Sequence, residues 1–99
     1  MVYVELKKAS SQGKKYTAVF YDDDRKKIKT TSFGSAGMSD YTKHKDDERK
    51  QRYIKRHSAN ENWSDYKSAG SLSKNILWNK TSISASYSDY RKKFGLKKY

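Results

Sequence analysis

The chain contains no cysteine. A disulfide framework and a thiolate metal site are therefore excluded, and the fold must hold by packing alone. Apolar matter is also scarce: 33% of the 99 residues are hydrophobic, which predicts a small core. No apolar run approaches the length of a transmembrane helix. The start, MVYVELKK, alternates in polarity and lacks the apolar stretch of a signal peptide. Asn62-Trp63-Ser64 and Asn79-Lys80-Thr81 therefore read as chance matches to the glycosylation sequon. An intracellular protein, or one packaged from inside a cell, is expected, with no membrane partner. Negative charge is the last shortage. Eleven acidic residues face 23 Lys and Arg, for a formal net charge of +12.

That surplus persists in each of the stretches 1–40, 41–60 and 61–99. A basic tail on a neutral domain is thus excluded. A uniformly basic surface repels itself and draws polyanions from a distance, and nucleic acid is the commonest partner for a small chain of this kind. Aromatic residues are plentiful, with nine Tyr, three Phe and two Trp. They compensate for the missing aliphatics and argue against a disordered polycation.

The first third reads as strand. Val2, Val4 and Leu6 alternate with Tyr3 and Glu5, the period of a half-buried strand. A turn at Ser10-Ser11-Gln12-Gly13 leads to a second strand over Tyr16 to Tyr21. Asp22 to Arg25 makes the next turn, and Lys26 to Phe33 is a third strand with Ile28, Thr30 and Ser32 on one face. Gly34 and Gly37 mark the exit from the sheet. The period then becomes helical. Candidate N-caps lie in Ser39-Asp40-Tyr41-Thr42, and the helix runs to about His57, ending at Ser58-Ala59-Asn60. Ser71 to Trp78 is a short second helix. Ser84 to Phe94 is a third, with Ile83, Tyr87, Tyr90 and Phe94 forming an apolar stripe and Gly95 in the C′ position. Trp63, Ile76, Leu77 and Trp78 are expected in the core. The expected architecture is α+β in a single domain over 1–99: an antiparallel β-meander over 1–34 packed against two or three helices over 38–94, followed by a basic tail over 95–99.

The first helix carries the main functional signal. Lys45, Arg49, Arg52 and Arg56 recur at i, i+4, i+7 and i+11, within roughly 40° of one line. Tyr53, Ile54 and His57 occupy an adjacent face able to dock on a core. Arginine suits forked contacts with phosphate. The bland alternative is a solvated face with local Asp46–Lys50 and Glu48–Arg52 pairs. Candidate phosphate contacts are Lys45, Arg49, Arg52 and Arg56, assisted by Lys50, Arg91, Lys92, Lys93, Lys97 and Lys98. Tyr41 and Tyr99 are read as free to touch bases or phosphates, whereas Tyr87 and Tyr90 are read as core.

Other motifs are weaker. Asp22, Asp23 and Asp24 are placed among cations and read as a solvated turn rather than a hard-cation site. A helix would hold His44 and His57 roughly 20 Å apart, too far for one small site. No nucleophile elbow, P-loop or dinucleotide fingerprint is present. No catalysis, cofactor or metal is expected.

The blocks Phe33-Gly34-Ser35-Ala36-Gly37 through Asp46, Arg49-Lys50, Tyr53 to His57, Glu61-Asn62-Trp63, Ala69-Gly70, Leu72-Ser73 and Ile76 to Lys80 form an ordered set. Over about residues 33–94 they resemble a family of small uncharacterised basic proteins encoded by large DNA viruses of algae and amoebae. The resemblance implies a viral source and supplies no site residues. The aromatic-Gly turn after a meander is also similar in layout to WGR domains, with Ser35 where that family has arginine. The expected function is non-catalytic, largely sequence-independent binding of nucleic acid, DNA ahead of RNA, in genome packaging or on viral or host chromatin. The location expected is the virion and the host-cell nucleus or viral factory. The alternative is a structural or adaptor virion protein binding an acidic protein partner, and a homodimer is compatible with either.

Overall fold

A computed structural model of the chain describes residues 1–10, 13–37, 40–58 and 63–99. Three strands open it: β1 (Tyr3–Lys8), β2 (Lys14–Tyr21) and β3 (Lys27–Ser35). They pair antiparallel as a meander, with Val4 opposite Phe20 and Tyr16 opposite Phe33. The turn between β2 and β3 is built by Asp22. Its carboxylate accepts from the Asp24 and Lys26 backbone N–H groups at 2.9 Å each, while Arg25 takes a left-handed φ of 61°. At least the first carboxylate of the acidic run is thus a turn-forming group.

Among the described residues four α-helices, with a π-helical turn after the third, follow the meander. α1 (Tyr41–His44) is capped by Asp40, one of the expected caps, which accepts from Thr42 N–H. The long basic helix expected from this point is broken. Lys45 is the left-handed C-cap of α1 at φ 55°, and α2 (Asp47–Ser58) begins afresh. Asp46 restarts it by accepting from the Glu48 and Arg49 N–H groups. A capping carboxylate six residues after Asp40 competes with helix continuation, which the charge periodicity alone does not reveal.

α3 (Ala69–Leu72) runs into a π-helical turn, Ser73–Leu77. The Asn75 side-chain amide donates to the Ser71 carbonyl at 2.8 Å. That carbonyl is the acceptor an α-helix would assign to the Asn75 backbone N–H, so the turn widens. α4 (Ile83–Phe94) starts at the Ser82 cap and stops at Gly95, whose φ of 66° places it in the C′ role. The expected basic tail is a correction. Lys97–Lys98 form β4, which pairs parallel to β1 and closes the sheet in the order β3-β2-β1-β4. Two lysines on a short edge strand discourage pairing with another chain.

α3, the π turn and α4 bury their apolar positions against the sheet. Val4, Ala18, Phe20 and Phe33 meet Leu72, Ile76, Leu77 and Tyr90 in one core, and Ile83, Tyr87 and Phe94 pack against it as the stripe predicts. The Tyr87 hydroxyl donates to the Val4 carbonyl at 2.8 Å, and that of Tyr90 to the Tyr66 carbonyl. Burial raises the Tyr90 pKa far above the ordinary phenol value. Trp63 and Trp78, expected in the core, are only half-buried. Tyr41, expected to be free, is buried, with its hydroxyl donating to Asp47 at 2.6 Å. The expected cap Ser39, the helix end at Ala59–Asn60, the turn residues Ser11–Gln12 and the acceptor Asn62 lie outside the described residues.

Candidate nucleic-acid interface

α2 buries none of its residues fully. It is held chiefly by Tyr53, whose ring stacks on Trp78 with centroids 4.3 Å apart and planes within 5°. His57 adds to the same group at 4.3 Å from Tyr53, and the His44 ring lies 5.3 Å from that of Trp78. The two histidines thus belong to one aromatic group, separated by two rings. The expected anchor of Tyr53, Ile54 and His57 is present as three half-buried side chains.

Arg49, Arg52 and Arg56 stand exposed on α2. Arg52 approaches Glu48 at 3.5 Å, both side chains being largely in water, so the pair adds little. Arg49 and Arg56 have no ion pair among the described residues. Lys45 is also exposed, but its place on the α1 cap removes it from the helical stripe.

Lys50 does not pair with Asp46. Its ammonium donates to the Asn79 carbonyl at 2.6 Å and lies 4.7 Å from the Tyr41 ring centroid. Its charge also acts on Lys74, which neighbours Lys93. Lys93, in the last turn of α4, donates to the Asn75 side chain at 3.4 Å. Lys74, on the π turn, lies 4.8 Å from the Trp63 ring centroid. Burial, the Lys93 ammonium beside it and the Lys50 charge together push the Lys74 pKa below the ordinary lysine value. Among the described residues no carboxylate forms an ion pair with any of the three. Asp47 on α2 and Asp89 on α4 are bonded instead to the Tyr41 hydroxyl and the Asn79 amide. Cations from three elements are therefore gathered around Lys74, and among the described residues none of them is held in an ion pair.

The structure thus joins part of the expected set. Lys50 and Lys93 meet through Lys74, a residue the sequence reading missed. Arg91 turns its guanidinium over the Tyr87 ring at 4.7 Å, and Lys92 is exposed on α4. Lys97 and Lys98 sit on β4, at the opposite sheet edge from β3. Lys74 lies among Leu72, Ile76 and Leu77 in sequence, and no local pattern links it to positions 50 and 93.

Residues 4–57 match a family of unknown function, DUF5754. The chain belongs to that family. The DUF5754 match takes in the meander, α1 and α2 up to His57, so it contains Lys50 and the three α2 arginines but neither Lys74 nor Lys93. No curated protein and no solved structure matches the chain. Among the described residues no helix is long and apolar enough to cross a membrane.

Proposed function

We propose that this protein binds nucleic acid without catalysis and with little sequence preference, DNA ahead of RNA. One observation carries the reading: the Lys74 ammonium lies beside Lys93 and within reach of the Lys50 charge, and among the described residues no carboxylate forms an ion pair with any of the three. Like charges held together repel, and a phosphate placed among them would turn that repulsion into attraction. Arg49, Arg52 and Arg56 extend the positive surface along α2, where they would track a phosphate backbone. The resemblance of residues 33–94 to small basic proteins of large DNA viruses supports a role in genome packaging or on viral or host chromatin, in the virion and the nucleus or viral factory.

The test is a salt titration against random duplex. With about six phosphates neutralised, affinity falls by roughly three decades between 50 and 200 mM salt. Changing Lys50, Lys74 and Lys93 together to Gln makes the salt slope shallower by close to three units, within about half a unit. Absence of binding at 50 mM salt, or a flat response, sinks the proposal.

A further inference from the structure

A cavity of about 350 Å³ opens between the end of β3, α2 and the π turn. Its size lies at the small end of ligand sites. The half-buried stacked pair Tyr53 and Trp78 gives it an aromatic wall over a floor of the fully buried Phe33 and Leu77, while Lys14 and Arg56 line it as exposed cations. Lys15 and Asp40 also line it, as a buried ion pair whose side chains are 8% and 3% exposed. The Asp40 charge is matched by Lys15, so Lys14 and Arg56 leave the cavity cationic. An ammonium carries three donors, and among the described residues Lys15 uses one of them, on Asp40.

Gly34 keeps the space open. At φ +79°, its position would set a Cβ 2.8 Å from Leu77 Cδ1 and 3.2 Å from Lys15 Cβ. The aromatic-Gly element is therefore what allows β3 to pass close to the π turn at the cavity.

We propose that this cavity holds one mononucleotide unit, its base against the aromatic lining and its phosphate between Lys14 and Arg56. A flat apolar body with an attached dianion is the chemistry that such a lining selects. The inference rests on the nucleic-acid reading, since Arg56 is the last arginine of the α2 row and would pass a strand from that row into the cavity. The unit comes either from an unpaired position of a strand or from a free nucleotide.

Amide NMR of the intact chain tests this with AMP, adenosine, ribose 5-phosphate and a single-stranded hexanucleotide. AMP is expected to move the amides of Gly34, Gly70 and Ser73, and to bind about tenfold more tightly than adenosine, which lacks the charge-assisted bonds. A hexanucleotide acting at lower concentration than AMP identifies a strand as the source; the reverse identifies a free nucleotide. The double variant Lys14→Gln, Arg56→Gln removes two exposed charges. It should melt as the parent does and lose about tenfold in AMP affinity. Ribose 5-phosphate matching AMP in affinity overturns the base pocket. The two readings fail separately. Duplex binding with those amides unmoved by AMP and by the hexanucleotide overturns the cavity alone, whereas AMP binding without duplex binding overturns the lysine cluster alone.

Discussion

At the residue scale, Asp40 ties the elements around the cavity. Its carboxylate caps α1, accepts from the Thr42 hydroxyl and pairs with Lys15 on β2. Burial alone would raise its pKa, but the bonds from Lys15 and Thr42 outweigh burial and hold it below the ordinary carboxylate value. A folded-state pKa below the unfolded one stabilises the fold above the unfolded value, about 3.9, and the contribution is lost as pH falls through the folded value. Asp40→Asn is expected to cost about 3–5 kcal/mol, because it strands the Lys15 ammonium. The same change should flatten the loss of stability below about pH 4, checked by urea melts at pH 3 and pH 6. Gly34 is the second residue with a distinct role. Gly34→Ala combines a left-handed φ with a 2.8 Å approach to Leu77 and should cost roughly 1–3 kcal/mol in the same melts.

At the element scale, α2 and α4 behave differently because they are held differently. α4 carries a full apolar stripe and two part-buried tyrosine hydroxyl bonds, and the side chain of its cap Ser82 accepts from Ala85 N–H at 3.1 Å. Ser82→Ala should therefore remove about 1 kcal/mol from global stability, measured by denaturant titration. α2 is held by half-buried side chains, chiefly Tyr53 on Trp78, and by the bonds of Lys50 to Asn79 and of Tyr41 to Asp47, with no fully buried side chain. Replacing Arg49, Arg52 and Arg56 by Gln preserves helix propensity and removes three exposed charges. Stability should change by less than about 0.5 kcal/mol. Duplex affinity should fall, with a salt slope shallower by close to three units. Unchanged duplex binding in this folded variant would make the arginine row solvent decoration and favour the adaptor reading.

At the scale of the whole molecule, a net charge of +12 is confined within a radius of gyration of 13.1 Å. The compact state concentrates like charge that the unfolded chain spreads out, and salt screens that repulsion over about 10 Å at 0.1 M. Raising sodium chloride from 20 to 200 mM should therefore raise the melting temperature by roughly a few degrees while weakening nucleic-acid binding. A calorimetric scan beside the binding titration separates the opposite signs. A melting temperature that falls with salt would mean that local ion pairs outweigh the surplus.

The sequence by itself determined the elements whose causes are local. Alternation in Val2 to Leu6, the acidic turn at Asp22, the apolar stripe from Ile83 to Phe94 and the glycine at 95 each act within one strand, turn or helix, so neighbouring residues suffice to read them. The α+β class followed from their order. The break at Lys45 was harder to read, because Asp46 caps a new helix where charge periodicity favours continuing the old one. The remaining features needed the third dimension. Lys97 and Lys98 became a strand only because β1 offered a free edge, and Tyr41 was drawn inward because Asp47 takes its hydroxyl. Lys50, Lys74 and Lys93 are a cluster only in space: a charge at one position acts on another through distance, and packing alone set the distances among α2, the π turn and α4.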